Sequence, residues 1–263
     1  MCELLGMSAN VPTDICFSFT GLMQRGGNTG PHKDGWGIVF YHGRGYREFK
    51  DPDPGAQSQV AQLVRKYPIK SDIVISHIRQ ANSGRVAIEN THPFSRELWG
   101  RHWSFAHNGQ VKAVKKWPLN FYQPIGSTDS EHAFCWLLDQ VRARYPKPPA
   151  SRAELSRCIA GLCAQLQPLG VFNMLLTDSS YLFAYADTDL AWITRKAPFG
   201  QASLKDADLS IDFCEETTAD DVVTVVATRP LTTDEEWHQL RHGQMIVFQN
   251  GKAVKPRGEL TGP

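Results

Sequence analysis

The sequence predicts an α+β fold, a four-layer αββα sandwich in which helices cover two mostly antiparallel sheets. Strand-like apolar segments outnumber helical ones, and the two kinds do not alternate one for one as a doubly wound parallel sheet requires. The chain has 263 residues, of which 41% are hydrophobic and 21% charged, and this size and composition suit one core. We therefore expect a single domain over residues 1–263.

Glycine-rich turns divide the N-terminal half of the chain. Residues 42–45, His-Gly-Arg-Gly, can supply the positive φ angles of a tight hairpin between two apolar strands. The predicted elements are a strand over residues 3–7, a helix over 13–24, strands over 37–41 and 46–49, a helix over 55–67, and strands over 72–78 and 103–106.

The clearest helix start is a capping box at residues 128–131, Thr-Asp-Ser-Glu. It precedes Phe134, Leu137 and Val141, whose spacing places them on one face of a helix. The remaining predicted elements are a helix over residues 152–167 and strands over 171–177, 181–185, 191–195, 221–228 and 245–249, for a total of about ten strands and four helices.

Charge and composition exclude several classes of partner. Lys plus Arg number 28 against 27 Asp plus Glu, so a net charge of +1 favours neither nucleic acid nor an anionic membrane. The longest apolar runs are far shorter than the ~20 residues of a spanning helix, and residues 1–6 lack the parts of a secretory signal. We expect a cytoplasmic protein. Its six cysteines form no C-x-x-C pair, which argues against a zinc ribbon or a disulfide framework.

Cys2 becomes the N-terminal residue when Met1 is removed. Its α-amine, with an ordinary pKa of ~7.7–8.0, can then take the proton of its own thiol, for which the ordinary pKa is ~8.5. One residue would supply both nucleophile and base. The alternative interpretation is an inert cysteine at the start of an edge strand.

Three further polar positions suit the chemistry of an amide substrate. Arg79 ends a predicted strand, where its planar guanidinium can bind a carboxylate through two hydrogen bonds. Asn108 and Gly109 offer a side-chain amide and an unhindered backbone N–H as donors to an oxyanion, although this dipeptide is also common in simple turns. Asp129, in the first turn of a helix, can accept from a substrate ammonium group.

These residues belong to a longer series of motifs in a fixed order. The series comprises Cys2, Arg25-Gly26, Asp34-Gly35-Trp36-Gly37, His77-Ile78-Arg79, Asn90-Thr91-His92-Pro93-Phe94, His107-Asn108-Gly109 and Thr128-Asp129-Ser130-Glu131. In these motifs and their order, the chain resembles a class II glutamine amidotransferase domain of the N-terminal-nucleophile hydrolase superfamily, most closely its stand-alone single-domain members. The motifs cover residues 2–131, and the resemblance implies the αββα sandwich of that superfamily.

The resemblance implies roles for seven of these residues. Cys2 is the nucleophile and, through its α-amine, the base; neither a metal nor a cofactor is implied. The remaining assignments are Asn108 and Gly109 as the oxyanion hole, Arg79 for the substrate α-carboxylate, Asp129 for its α-ammonium group, and Arg25 and His92 as supporting substrate-binding residues.

The implied reaction is cleavage of the γ-amide of glutamine, or of a γ-glutamyl amide, through a Cys2 thioester. The length of 263 residues accommodates the glutaminase domain alone. Either a separate synthase subunit accepts the ammonia, or the substrate is a γ-glutamyl amide whose amine is itself the product. Single-domain relatives in ergothioneine synthesis and glutathione degradation illustrate the second case.

Two functions of other classes compete with this one. A metal-dependent hydrolase would use several of the histidines, but no H-x-x-x-H pair occurs among them. A non-catalytic binding module would retain the fold without the nucleophile and its partners. The histidines in question are His77, His92, His102, His107 and His132.

Overall fold

The computed structural model describes residues 2–81 and 85–254. The strands are β1 (Glu3–Thr13), β2 (Trp36–His42), β3 (Gly45–Asp51), β4 (Ser71–Ile78), β5 (Phe94–Leu98), β6 (Arg101–Gly109), β7 (Phe172–Thr177), β8 (Leu182–Ala186), β9 (Ala191–Lys196), β10 (Gln201–Ser203), β11 (Ser210–Asp212), β12 (Val222–Ala227), β13 (His238–Gln239), β14 (Gln244–Gln249) and β15 (Lys252–Ala253). The α-helices are α1 (Cys16–Arg25), α2 (Gln59–Lys66), α3 (Asp129–Arg144), α4 (Arg152–Leu166) and α5 (Phe213–Glu216), and 3-10 turns occur at Ile88–Asn90, Lys112–Lys116 and Gln167–Leu169.

Two large sheets organise the described part of the chain. The seven-stranded sheet has the order β13-β9-β12-β1-β4-β2-β3, and the six-stranded sheet the order β15-β14-β8-β7-β6-β5. The strand pairs within both are antiparallel. A separate pair, β10 and β11, forms a small ribbon.

Apolar side chains fill the space between the two sheets. Leu4, Ile75 and Val226 from the seven-stranded sheet pack with Ala106 and Leu175 from the six-stranded sheet. The outer face of the first sheet packs against α1 and α2, and that of the second against α3 and α4. The predicted α+β fold with two antiparallel sheets is confirmed, and its layers follow the order αββα.

The register of β1 determines where the chemistry lies. Glu3 pairs with Ile78 at the end of β4, and Ile78 also pairs with Trp36 at the start of β2. On the other side, Leu5 pairs with Ala227 at the end of β12. The start of β1 therefore meets the ends of β4 and β12 at one edge of the sandwich.

Some element boundaries differ from the prediction. The helix expected from residue 13 begins at Cys16, because β1 continues as a strand to Thr13. Residues 94–98, for which no strand was predicted, form β5 through their pairing with β6. The strands β10, β11, β13 and β15 span only two or three residues each, too few to show a periodic pattern. Among the described helices, none is both long and apolar enough to cross a membrane.

Candidate active site

The Cys2 thiol lies beside the backbone that follows β4. The Gln80 N–H donates to Cys2 Sγ at 3.3 Å, and Sγ lies 3.6 Å from the Gln80 carbonyl oxygen. Burial raises the pKa of this thiol, and the Gln80 backbone N–H and the positive charge of Arg79 oppose that effect. The thiol therefore needs a base to ionise at neutral pH. Met1, whose removal would free such a base, is outside the described residues.

The turn before β2 holds the Arg79 segment in place. The Arg79 N–H donates to the Gly35 carbonyl at 2.8 Å, and the Asp34 N–H donates to the Arg79 carbonyl at 3.1 Å. The Asp34 carboxylate accepts from the Ala81 N–H at 2.7 Å. The predicted Asp-Gly-Trp-Gly motif thus fixes the backbone on both sides of Arg79 and Gln80.

The Arg79 guanidinium is a buried cation near the Cys2 thiol. Its side chain is buried, and one Nη donates to the Arg85 carbonyl at 3.2 Å. Burial lowers the pKa of this guanidinium, and the charges of Cys2 and Asp34 oppose the change. The planar guanidinium can bind a carboxylate through two parallel hydrogen bonds.

Asn108 and Gly109 form the last part of β6. Asn108 pairs with Asn173 and Gly109 with Phe172 on β7, so the interpretation of this dipeptide as a simple turn is wrong. The Asn108 side chain is fully buried, and its Nδ2 donates to Thr228 Oγ1 at 3.4 Å. Among the described residues nothing forms a hydrogen bond with Asn108 Oδ1.

Gly109 has a φ of +150°, and the strand pairing leaves no room for a side chain there. A Cβ at this position would lie 1.8 Å from the Val171 carbonyl oxygen. The crowding therefore comes from Val171, the residue before β7, and from the His107 ring, whose Nε2 would lie 2.8 Å from the added Cβ. Glycine is required for the backbone itself.

Asp129 begins α3 close to this strand end. Its Oδ2 accepts from the Val111 N–H at 2.7 Å, and its Oδ1 accepts from the Ser130 N–H at 3.1 Å. The bond from Val111 ties α3 to the chain just after Gly109. Each carboxylate oxygen retains a further acceptor position, so the group can still accept from an ammonium ion.

Strand alternation places three of these side chains in one space. Cys2 lies two residues before Leu4, and Asn108 two residues after Ala106, and both of these apolar residues face the other sheet. Arg79 directly follows β4 and lies four residues after Ile75, which also faces the other sheet. If the alternation of β4 is continued by one residue, Arg79 shares the face of Ile75. The nucleophile, the cation and the amide therefore converge between the sheets at one edge of the sandwich.

Arg25 lies among protein acceptors next to the start of β1. Its buried guanidinium donates to Glu3 Oε2 at 3.1 Å, to Asp206 Oδ2 at 2.7 Å and to two carbonyls of residues 229–230 at 3.2 and 2.8 Å. With these protein acceptors, Arg25 holds the residue after Cys2. Its predicted supporting part in substrate binding stays a prediction.

His92 precedes a cis peptide bond to Pro93 and packs against His77, with ring centroids 4.2 Å apart. Both rings are buried, and neither forms a hydrogen bond to another described residue. Burial lowers the pKa of each ring well below its ordinary value. His92 therefore supports β4, the strand that precedes Arg79, as a neutral ring, and its predicted supporting part in substrate binding stays a prediction.

Within residues 2–81 and 85–254, no three His, Cys, Asp or Glu side chains are grouped to hold a metal ion.

His107 is a second neutral support of the site. Its Nδ1 lies 2.8 Å from Ser130 Oγ and its Nε2 lies 3.1 Å from the Val171 carbonyl oxygen. Burial lowers its pKa to about 4, against the effect of the negative charge of Asp129. The ring links β6, which carries Asn108 and Gly109, to the start of α3, which carries Asp129.

Sequence reasoning missed two polar residues that hold Asn108. Asn173 donates to the Asn108 carbonyl at 3.2 Å, and its own Oδ1 accepts from the N–H groups of residues 187 and 188. Thr228 contacts the Asn108 side chain, as described above. Neither lies in a motif, and the partners are separated by 65 and 120 residues. No local signal could have found them.

An αββα sandwich with a cysteine just before its central strand and an Asn-Gly pair at the end of β6 has the features expected of a class II glutamine amidotransferase. The family model of class II glutamine amidotransferases matches residues 1–260, and the chain belongs to this family. The resemblance found in the sequence is confirmed.

Individual relatives agree with this assignment. YafJ of Escherichia coli (strain K12) is 59% identical over 254 residues, covering 97% of this chain and 100% of YafJ. The 2.0 Å crystal structure of a predicted glutamine amidotransferase from Pseudomonas aeruginosa PA01 superposes with a TM-score of 0.77 at 52% identity, covering 97% of this chain and 100% of that one. Glutamine phosphoribosylpyrophosphate amidotransferase from B. subtilis, at 15% identity and a TM-score of 0.59, shares the fold over 98% of this chain and 50% of its own.

Proposed function

We propose that this chain cleaves the γ-amide of glutamine, or of a γ-glutamyl amide, through a Cys2 thioester. The single observation that carries the proposal is the convergence of Cys2, Arg79 and Asn108 between the sheets, at the edge where β1, β4 and β12 meet. Membership of the class II glutamine amidotransferases supports the same chemistry.

Substrate binding follows from the two charged groups. Arg79, a buried cation, binds the α-carboxylate, and the remaining acceptor positions of Asp129 bind the α-ammonium group. A γ-glutamyl group held at both charges can extend its γ-carbonyl toward Cys2 and Asn108. The oxyanion donors and the nucleophile then face the same carbonyl.

The reaction then proceeds in two balanced steps. The α-amine of Cys2, freed by loss of Met1, takes the thiol proton, and Sγ attacks the γ-carbonyl carbon. Asn108 Nδ2 and the Gly109 N–H donate to the oxyanion, which collapses and expels the nitrogen as ammonia or an amine carrying that proton. Water, deprotonated by the same α-amine, hydrolyses the thioester to glutamate and regenerates the thiol.

The leaving nitrogen defines two versions of the proposal. In the first, ammonia passes to a separate synthase subunit. In the second, the amine is the product, as in a γ-glutamyl amide hydrolase of small-thiol metabolism. Both versions use the same residues for acylation.

The test is glutamate release from a panel of γ-glutamyl amides with glutamine as one member. We expect release by the parent protein, and none by Cys2→Ser. Cys214→Ser is the matched control, because this thiol is exposed and lies outside the site, so its loss should leave the rate unchanged. Protein with a free N-terminal Cys2 that releases glutamate from no member would reject the proposal and favour a non-catalytic binding module. Loss of activity in chelator, restored by a metal ion, would favour the metal-dependent hydrolase.

A further inference from the structure

Thr228, the residue that follows β12, lies where two strands of the site meet. Its N–H donates to the Leu4 carbonyl at 3.1 Å and continues the ladder between β12 and β1. Its hydroxyl oxygen accepts from the Leu4 N–H at 2.9 Å and from Asn108 Nδ2 at 3.4 Å. A single side chain thus connects the nucleophile strand of one sheet to the oxyanion donor of the other.

The Asn108 amide depends on this contact for its direction. Its Oδ1 forms no hydrogen bond within the described residues, so the contact to Thr228 is the one that orients the amide plane. The amide nitrogen carries two hydrogens. When one is directed at Thr228, the direction of the other is fixed.

Thr228 is well suited to such a task. It is 4% exposed, so water does not compete for its hydroxyl, and its branched Cβ restricts the side chain to few rotamers. The two donors fill both lone pairs of the oxygen. The Leu4 N–H, two residues from Cys2, therefore holds the Thr228 Oγ1 atom in place. Asn108 donates to this same atom.

We propose that Thr228 is a positioning residue that aims the Asn108 amide at the substrate carbonyl in register with Cys2. The inference rests on the proposed function and deepens it. An oxyanion donor stabilises the transition state only when it is aimed before charge develops. Loss of the Thr228 hydroxyl should therefore lower kcat more than it changes KM.

The kinetic test compares isosteric variants. Thr228→Val should lower kcat by about 10- to 100-fold, less than the ~10²- to 10³-fold of a deleted donor, and leave KM within about twofold. Thr228→Ser should restore kcat to within about threefold of the parent. Thr224→Val is the matched control: Thr224 is buried within β12, four residues before Thr228, but its hydroxyl bonds to Gly251 and Thr194. Equal losses of kcat in the two valine variants, or none in Thr228→Val, would overturn the proposal.

A second measurement does not need activity. The side-chain amide of Asn108, assigned by its absence from the ¹⁵N–¹H spectrum of Asn108→Ala, should shift in Thr228→Val and return in Thr228→Ser. Thr228→Cys replaces the valine variant if that one does not fold. If the parent releases no glutamate from any substrate, the proposed function fails while the Asn108 signals still decide the role of Thr228. Unchanged Asn108 signals in folded Thr228→Val, or in Thr228→Cys where that variant replaces it, would refute the positioning role of Thr228.

Discussion

Gly109→Ala tests most directly the geometry at the end of β6, where Asn108 and Gly109 lie. The added Cβ would lie 1.8 Å from the Val171 carbonyl oxygen and 2.6 Å from its carbon. Real Cβ contacts stay above 3.0 Å. The new Cβ and the Val171 carbonyl oxygen must therefore separate by at least 1.2 Å, the difference between 3.0 and 1.8 Å. The same Val171 oxygen accepts from the Gln110 N–H at 3.0 Å, so the movement also strains a backbone hydrogen bond.

The cost of this substitution can be worked from two effects. Overpacking costs about 1–3 kcal/mol, and an unfavourable backbone conformation costs about 1–3 kcal/mol more. Gly109→Ala should therefore lose roughly 2–6 kcal/mol of unfolding free energy, a large share of the ~5–15 kcal/mol typical of a folded protein. The displaced N–H should also lower kcat in the molecules that stay folded.

Urea denaturation and glutamate release measure the two effects separately. Gly161→Ala is the control, because a Cβ at this position in α4 meets no atom within 4 Å. It should be neutral or stabilising by up to about 1 kcal/mol, since alanine favours a helix over glycine. A Gly109→Ala protein that loses less than about 1 kcal/mol and keeps the parental kcat would refute the strand geometry described for the oxyanion donors.

Three other outcomes are expected. Arg79→Ala or Asp129→Ala should lower kcat/KM by roughly 30-fold or more, because a broken charge pair costs ~2–5 kcal/mol. A kcat/KM within a few fold of the parent would contradict the assignment of these residues to the substrate α-carboxylate and α-ammonium groups. Intact-mass measurement of active protein should show Met1 missing, and full activity with Met1 retained would exclude the amine as base. Because burial lowers the pKa of His77 and His92, the unfolded chain binds more protons below pH ~6.5. The free energy of unfolding should then decrease as the pH is lowered below ~6.5, by about 1.4 kcal/mol per pH unit for each ring. Equal urea midpoints at pH 7 and pH 5 would contradict this expectation.

Local signals predicted the parts of the site that depend on neighbouring residues. At the capping box, the Thr128 hydroxyl accepts from the Glu131 N–H at 3.1 Å, as the pattern indicates. The Glu131 carboxylate does not complete the box: it accepts from the Ile125 and Gly126 N–H groups and pairs with Arg96 at 2.6 Å. The helix start was therefore predictable, whereas the long-range use of its glutamate was not.

Pairing between distant segments sets the rest of the site. β5 forms because its backbone completes the edge of a sheet beside β6, and its five residues show too little alternation to reveal this. The contact between Asn108 and Thr228 crosses from one sheet to the other and spans 120 residues. Such contacts depend on how the sheets stack, which residue spacing along one chain does not encode.

Arg25 shows why residue type alone gives an incomplete assignment. An arginine in a glycine-rich turn has the same sequence pattern whether it faces a ligand or a buried carboxylate. Here the carboxylate is Glu3, which is 2% exposed and pairs with both Arg25 and Arg229. Glu3 shares a face of β1 with Leu5, toward the α1 side, while Cys2 shares the opposite face with Leu4. The alternation of one strand thus directs the structural ion pair to one side of the sheet and the reacting thiol to the other.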